Sequence, residues 1–293
     1  SAHPLIADLI FNIISLDYME TLQAAAGVQA EEAKQKTMRD YKERYLVVVE
    51  GSVPLKDDGI YCTIGGRSAR DILLEAARDS VAVIANGSCA TNTCVQGAHP
   101  NPTGAVAVKD LVKDKPVIDV PGCPPIAEVL AGVIVHYITF DRLPELTRLG
   151  RPKAFYSHRI HDNCNRRAFF DAGMFVEEFD DTGAKNGWCL YKVGCKGPTT
   201  YNACPVTQWN NGVSYPIKSG HPCIGCSEPN FYDHFPMYGR LAHIPGTARP
   251  YDPDRLGKVV TGITAAGVAV HGVATGILMH NKKDPNREEK GEI

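Results

Sequence analysis

Tyr45-Leu46-Val47-Val48-Val49-Glu50 is a short apolar run that stops at Gly51, and the chain repeats the pattern twice. Val81-Ala82-Val83-Ile84-Ala85-Asn86 stops at Gly87, and Pro116-Val117-Ile118-Asp119-Val120 stops at Pro121-Gly122. Apolar runs of this length, bounded by turn residues, belong to strands buried on both faces. Between them, residues 68–79 have helical spacing, with Ile72, Leu73 and Ala76 on one face. Residues 126–139 read as a further helix, opened by Pro124 and Pro125. Strand, turn and helix repeated in this order predict an α/β fold, an open parallel sheet with helices on both faces. Ligands of such sheets gather at the carboxyl ends of the strands. Glu50, Cys89 and Cys123 all fall just past those ends.

The character changes near Gly150. From there to about Tyr238 the chain is rich in Gly, Pro, Asn, Tyr and Cys, with little periodicity beyond a short helix expected near 168–179. A segment with so few regular elements needs another source of stability, and bound metal supplies one. Residues 259–280 carry no charge, and the polar tail that follows is expected to be disordered. At the other end, Leu5-Ile6-Ala7-Asp8-Leu9-Ile10 reads as an amphipathic helix. The sequence opens on Ser1-Ala2-His3-Pro4 with neither an initiator methionine nor a signal peptide, so upstream residues are expected to have been removed or left out. The expected organisation is a flavodoxin-like domain over 1–150, an irregular cysteine-rich domain over 151–245, and a linker, apolar helix and polar tail over 246–293.

With 293 residues the chain can bury a large core, and 44% hydrophobic against 22% charged residues argues for a folded protein. A net charge of −2 gives no basis for nucleic-acid binding. Ten cysteines demand an explanation. Six of them fall with a histidine in the order His161-x-x-Cys164, Cys189-x5-Cys195, Cys204 and Cys223-x-x-Cys226. Disulfide frameworks belong mostly to small domains that lack a core. Zinc uses the same vocabulary, but these spacings do not fall into two tight pairs and one zinc would leave half the thiols idle. Soft thiolates spread over separated segments suit multinuclear iron–sulfur clusters best.

Taken together, the motifs resemble the small subunit of [NiFe] hydrogenases. Glu50-Gly51, Gly87-Ser88-Cys89, Asn101-Pro102-Thr103-Gly104, Pro121-Gly122-Cys123-Pro124-Pro125, Ile160-His161-Asp162-Asn163-Cys164, Gly194-Cys195-Lys196-Gly197-Pro198 and Cys223-Ile224-Gly225-Cys226 all occur in family order. The resemblance implies an iron–sulfur chain that conducts electrons from a nickel–iron centre on the large subunit, the chain's partner, to an external acceptor. By the same resemblance His161, Cys164, Cys189 and Cys195 would hold a distal [4Fe–4S] cluster, and Cys204, Cys223 and Cys226 a medial [3Fe–4S] cluster. Pro216 stands near where relatives with a four-iron medial cluster have cysteine. Cys89 and Cys123 match two proximal ligands; the family supplies others from an N-terminal cysteine motif just before Ser-Ala-His-Pro. This sequence starts after that motif, and truncation is the reading that fits, because the remainder matches without gaps.

Cys94 narrows the subclass. It stands where oxygen-tolerant, membrane-bound uptake hydrogenases carry an extra proximal thiolate and build a [4Fe–3S] rather than a [4Fe–4S] cluster, with Glu50 matching a carboxylate that can approach an iron. The plainer reading of Cys94 is a small buried residue at a helix start. Cys62 matches no ligand position and is expected to be a buried core thiol.

Residues 259–280 are long enough to cross a bilayer, with Gly262, Ala266, Gly267, Ala269, Gly272 and Gly276 suited to close helix packing. The expectation is a membrane anchor with a cytochrome b partner, holding the body on the periplasmic side as the resemblance implies. Modest hydrophobicity and His271 inside the segment leave a soluble docking helix as the alternative. Two other functions compete: an iron–sulfur subunit of another redox complex, such as one that uses a quinone, and a zinc-stabilised structural module.

Overall fold

The three apolar runs become β1 (Leu46–Glu50), β2 (Ala82–Asn86) and β3 (Val117–Val120), a parallel sheet in the order β1-β2-β3. Val48 pairs with Ile84, and Ile84 with Ile118. A computed structural model describes residues 5–233, 236–241 and 253–282. Ser1-Ala2-His3-Pro4, the expected linker from residue 246 and the polar tail from residue 283 lie outside the described residues.

Successive side chains of a strand point to opposite faces, and the sheet uses both. Val83 and Ala85 pack with Leu73 and Ala77 of the helix Ala69–Arg78, and with Val108 and Val112. Ser68 caps that helix, its Oγ accepting from the Asp71 N–H at 3.1 Å. On the opposite face Ile84, Ile118 and Val120 pack with Val129 and Val133 of the helix Ala127–Phe140. That second core also takes in Ile160, Leu190, Cys195, Cys204 and Cys223, so the cysteine-rich half shares its interior with the sheet. Ile84 is fully buried, and burying such a side chain contributes about 1.5–3 kcal/mol.

Two expectations about local structure do not hold. The helix expected near 168–179 covers only Arg167–Asp171. Gly173, at φ +70°, turns the chain out of the helix, and Phe175 then forms a β-bridge with Cys189. Cys62 is exposed rather than buried in a core. It precedes a hairpin of two-residue strands, Thr63–Ile64 and Arg67–Ser68, too short to cover its own turn.

Residues up to Arg240 form one compact unit and those from Leu241 a second. In the second, one helix runs over Pro253–Lys282 and contains the uncharged stretch Val259–His280, long and apolar enough to cross a membrane.

Candidate metal centres

The first candidate centre gathers residues from three turns of the irregular half. His161 belongs to the 3-10 turn Ile160–Asn163, Cys164 follows it, Cys189 forms the bridge to Phe175, and Cys195 follows the left-handed Gly194. All four side chains line one small cavity, with Arg166 and Ile217 among the other walls. His161 is buried, its ring edge-on to Phe170 with centroids 4.6 Å apart. Burial, then the nearby Arg167, hold its pKa below the usual histidine range, so the imidazole is neutral, the form that binds metal. Burial pushes the Cys189 thiol up to about 11 and raises that of Cys195 as well. The Arg166 N–H points to Cys164 Sγ at 3.4 Å, and the Gly197 N–H to Cys195 Sγ at 3.5 Å. Such donors favour thiolate. A Cβ at Gly197 would lie 3.4 Å from Cys195 Sγ, so glycine lets the backbone approach the sulfur.

The second centre is Cys204, at the start of the short helix Cys204–Thr207, with Cys223 and Cys226. Burial pushes Cys204 up to about 12, with Cys226 as the next contribution. Cys223 is raised well above the ordinary thiol range by burial, then by Cys195 and Cys226. The Gly225 N–H points to Cys223 Sγ at 3.4 Å. Trp209 Nε1 is a buried donor with no acceptor at hydrogen-bonding geometry among the described residues, yet it approaches Cys204 closely enough to favour its thiolate. A sulfur-rich anionic group would satisfy that donor. Pro216 lies between Tyr215 and Ile217, both buried in the same core as Cys204 and Cys223.

The third group stands at the carboxyl edge of the sheet. Cys89 is in the helix Ser88–Asn92 after β2, Cys94 opens the next turn, and Cys123 follows β3. Cys94 is fully buried, and burial pushes it up to about 12, reinforced by Cys89 and then Cys123. Thr93 and Cys94 both have positive φ, at 64° and 51°. Tyr232 holds this turn, its hydroxyl donating to the Asn92 carbonyl at 2.8 Å. Glu50 ends β1, where its Oε1 accepts from Asn86 Nδ2 at 2.9 Å. Cys123 is exposed.

The fit to iron–sulfur chemistry rests on the donor set. All ten cysteines are free thiols, seven of the candidate cysteines have raised thiol pKa values or line the first cavity, and a buried thiol gives up its proton most readily to a bound metal. Among the described residues no three His, Cys, Asp or Glu side chains close on a single ion. Ligands that surround a shared cavity without meeting at one point suit a multi-iron group better than one zinc.

Comparison with known proteins agrees. Residues 156–239 match the family model for the carboxyl-terminal part of the NiFe/NiFeSe hydrogenase small subunit. The chain is 54% identical over 285 residues to an uptake hydrogenase small subunit of Azotobacter vinelandii, spanning 97% of this chain and 80% of that protein. This chain belongs to the [NiFe] hydrogenase small-subunit family. It is also 50% identical to the hydrogenase-1 small chain of Citrobacter freundii, over all of this chain and 78% of the relative. The [NiFeSe] hydrogenase structure from Desulfovibrio vulgaris Hildenborough superposes with a TM-score of 0.75 at 35% identity, covering 82% of this chain and 90% of that one. Residues 1–137 match the model for the NADH ubiquinone oxidoreductase 20 kDa subunit, so the sheet half is of a kind also found outside hydrogenases.

Residues that sequence reasoning did not single out also shape this hydrogenase small subunit. Trp209 gave no signal. Arg151 is buried, with Nη1 donating to Glu228 Oε1 at 3.0 Å and Nη2 to the Ser227 carbonyl at 2.7 Å. It thereby braces the segment that follows Cys226. Ser88 was visible only as the middle of a Gly-Ser-Cys motif.

Proposed function

We propose that this hydrogenase small subunit passes electrons from H2 oxidation in the large subunit through a chain of iron–sulfur clusters to a membrane acceptor. Each cluster would supply one-electron chemistry. The observation that carries the reading is the shared cavity of His161, Cys164, Cys189 and Cys195. These four would hold a distal [4Fe–4S] cluster, and Cys204, Cys223 and Cys226 a medial [3Fe–4S] cluster. Cys89, Cys94 and Cys123, with Glu50 nearby on the sheet edge, would contribute to a proximal [4Fe–3S] or [4Fe–4S] cluster. The protein's own work is to bury Cys94, Cys189, Cys195, Cys204 and Cys223, to hold His161 neutral and to aim backbone N–H groups at Cys164, Cys195 and Cys223.

The same reading divides the chain into 1–150, 151–245 and 246–293, with Val259–His280 as a membrane anchor beside a cytochrome b and the body of the subunit on the periplasmic side. Its exposed Val259, Ile263, Val270, Val273 and Ile277 support that role.

The test is analysis of the anaerobically purified, full-length heterodimer. Iron with acid-labile sulfide and H2-dependent dye reduction are expected. His161→Ala is expected to remove the distal EPR signal and leave the medial one. Zinc without sulfide, or a distal signal indifferent to His161, would overturn the reading.

A further inference from the structure

The proximal and medial groups meet at Ser88. Its side chain is buried, and its backbone N–H donates to the Gly122 carbonyl at 2.9 Å. Ser88 Oγ accepts from the Gly122 N–H at 3.0 Å and donates to the carbonyl of Cys226. The hydroxyl thus uses its proton and a lone pair on two different segments. Ser88 immediately precedes Cys89, Gly122 immediately precedes Cys123, and Cys226 is itself a candidate ligand. Three cysteine-bearing segments are therefore joined through one oxygen atom. The backbone N–H of Cys123 also approaches the Cys226 thiol closely enough to favour its thiolate.

The Ser88 bond spans 138 residues of sequence. A buried hydroxyl with both bonds made is held in place, and removing it would leave the Gly122 N–H unpaired. Gly122 has no slack of its own, since a Cβ there would lie 2.6 Å from Pro125 Cα. Ser88 Oγ therefore adds a side-chain link to the backbone bond between the turns after β2 and β3, and extends it to the segment of Cys226.

We propose that Ser88 is a positioning residue that sets the separation between the proximal and medial sites, and that its hydrogen bond to Cys226 lies on the route electrons take between them. The inference rests on the cluster assignment above. One electron leaves the proximal site and one arrives at the medial site; H2 oxidation supplies it, no bond forms or breaks, and Ser88 keeps its proton.

The experiment uses the full-length heterodimer with Ser88→Ala and Ser88→Thr. Iron and labile sulfide are measured first, then cluster potentials by EPR titration. Freeze-quench EPR after mixing with H2 then gives the rate at which the medial signal is lost. In Ser88→Ala with both clusters assembled, medial reduction is expected to slow several-fold while both potentials stay at wild-type values. Ser88→Thr, which keeps the hydroxyl, is expected to restore the rate. Should Ser88→Ala assemble poorly, full assembly and wild-type transfer in Ser88→Thr would support the role of the hydroxyl. Wild-type transfer in fully assembled Ser88→Ala would overturn the proposal, as would equal failure of both variants. A wild-type heterodimer without proximal and medial signals would instead overturn the underlying cluster assignment, so the two failures are distinguishable.

Discussion

The backbone N–H of Lys196 donates to the carbonyl of Cys223 at 2.7 Å. Lys196 follows Cys195, a proposed distal ligand, and Cys223 is a proposed medial one. One backbone hydrogen bond therefore ties together the two groups of the irregular half, and Cys195 is close enough to Cys223 to raise the cost of ionising it. Lys196 is the nearby cation: burial lowers its pKa, and the two cysteines oppose that. With the Ser88 hydroxyl joining the other pair of groups, the candidate centres are connected by hydrogen bonds between their segments.

Pro216 is expected to fix the medial cluster in its three-iron form, because it has no ligand atom to offer a fourth iron. Its neighbours Tyr215 and Ile217 are buried, so the position is held firmly. Pro216→Cys should abolish the oxidised three-iron EPR signal and give a four-iron cluster of lower potential. Pro216→Ala should keep the signal. An unchanged spectrum in Pro216→Cys would refute the assignment.

Cys94 is predicted to matter under oxygen and little without it. An additional proximal thiolate would let that site give up a second electron within a narrow potential range, so that attacking O2 is reduced fully to water. The backbone suits the test, since φ at Cys94 is +51° and glycine adopts that conformation without strain. Film voltammetry of the full-length heterodimer under H2 should show Cys94→Gly inactivated by added O2 and equal to wild type in its absence. Equal tolerance in both would make Cys94 an ordinary buried thiol.

Removal of the chain after Lys258 should release the complex from washed membranes with its iron and sulfide content intact. The deleted stretch includes Val259–His280, whose 22 residues span about 33 Å as a helix. Fractionation of cell extracts checks this. Persistence of the truncated protein on membranes would assign attachment to another part of the complex.

Arg151→Met should destabilise the first unit by about 3–5 kcal/mol, the usual cost of leaving one member of a buried ion pair alone. Arg151 is 3% exposed and Glu228 22%, so the upper part of that range applies only if Glu228 stays charged and dry. Glu228→Gln, which keeps an acceptor for Arg151 and for the Tyr201 N–H, should cost less. Thermal unfolding of the two variants, compared at one pH, gives the order; a reversed order would show that Arg151 does not act through Glu228.

The sheet and its helices were legible because their signals are local. An apolar run ending in glycine, or residues spaced to share one helix face, reports on the neighbouring chain alone, and β1, β2, β3 and the helices Ala69–Arg78 and Ala127–Phe140 all followed. The ligand candidates were legible for a different reason: thiols and a histidine at characteristic spacings, in the order shared with a family. Where local reading failed, a single residue redirected the chain. Gly173 ended a helix expected to run to Phe179, and Cys62, ahead of a hairpin of two-residue strands, stays in solvent.

By itself the sequence determined the fold class, the family and the candidate ligand residues. Only the tertiary structure decided which of those residues face a common cavity and what joins one group to the next. Burial and hydrogen-bond partners depend on distances between segments far apart in the chain, and a periodic pattern carries no information about them. Ser88 illustrates the limit: its place in Gly-Ser-Cys says that a small residue fits a strand-end turn, whereas its bond to Cys226 exists only because the irregular half shares a core with β2 and β3. The same packing lets Trp209 approach Cys204 and brings Arg151 beneath Ser227, contacts set by the shared core and not by sequence spacing.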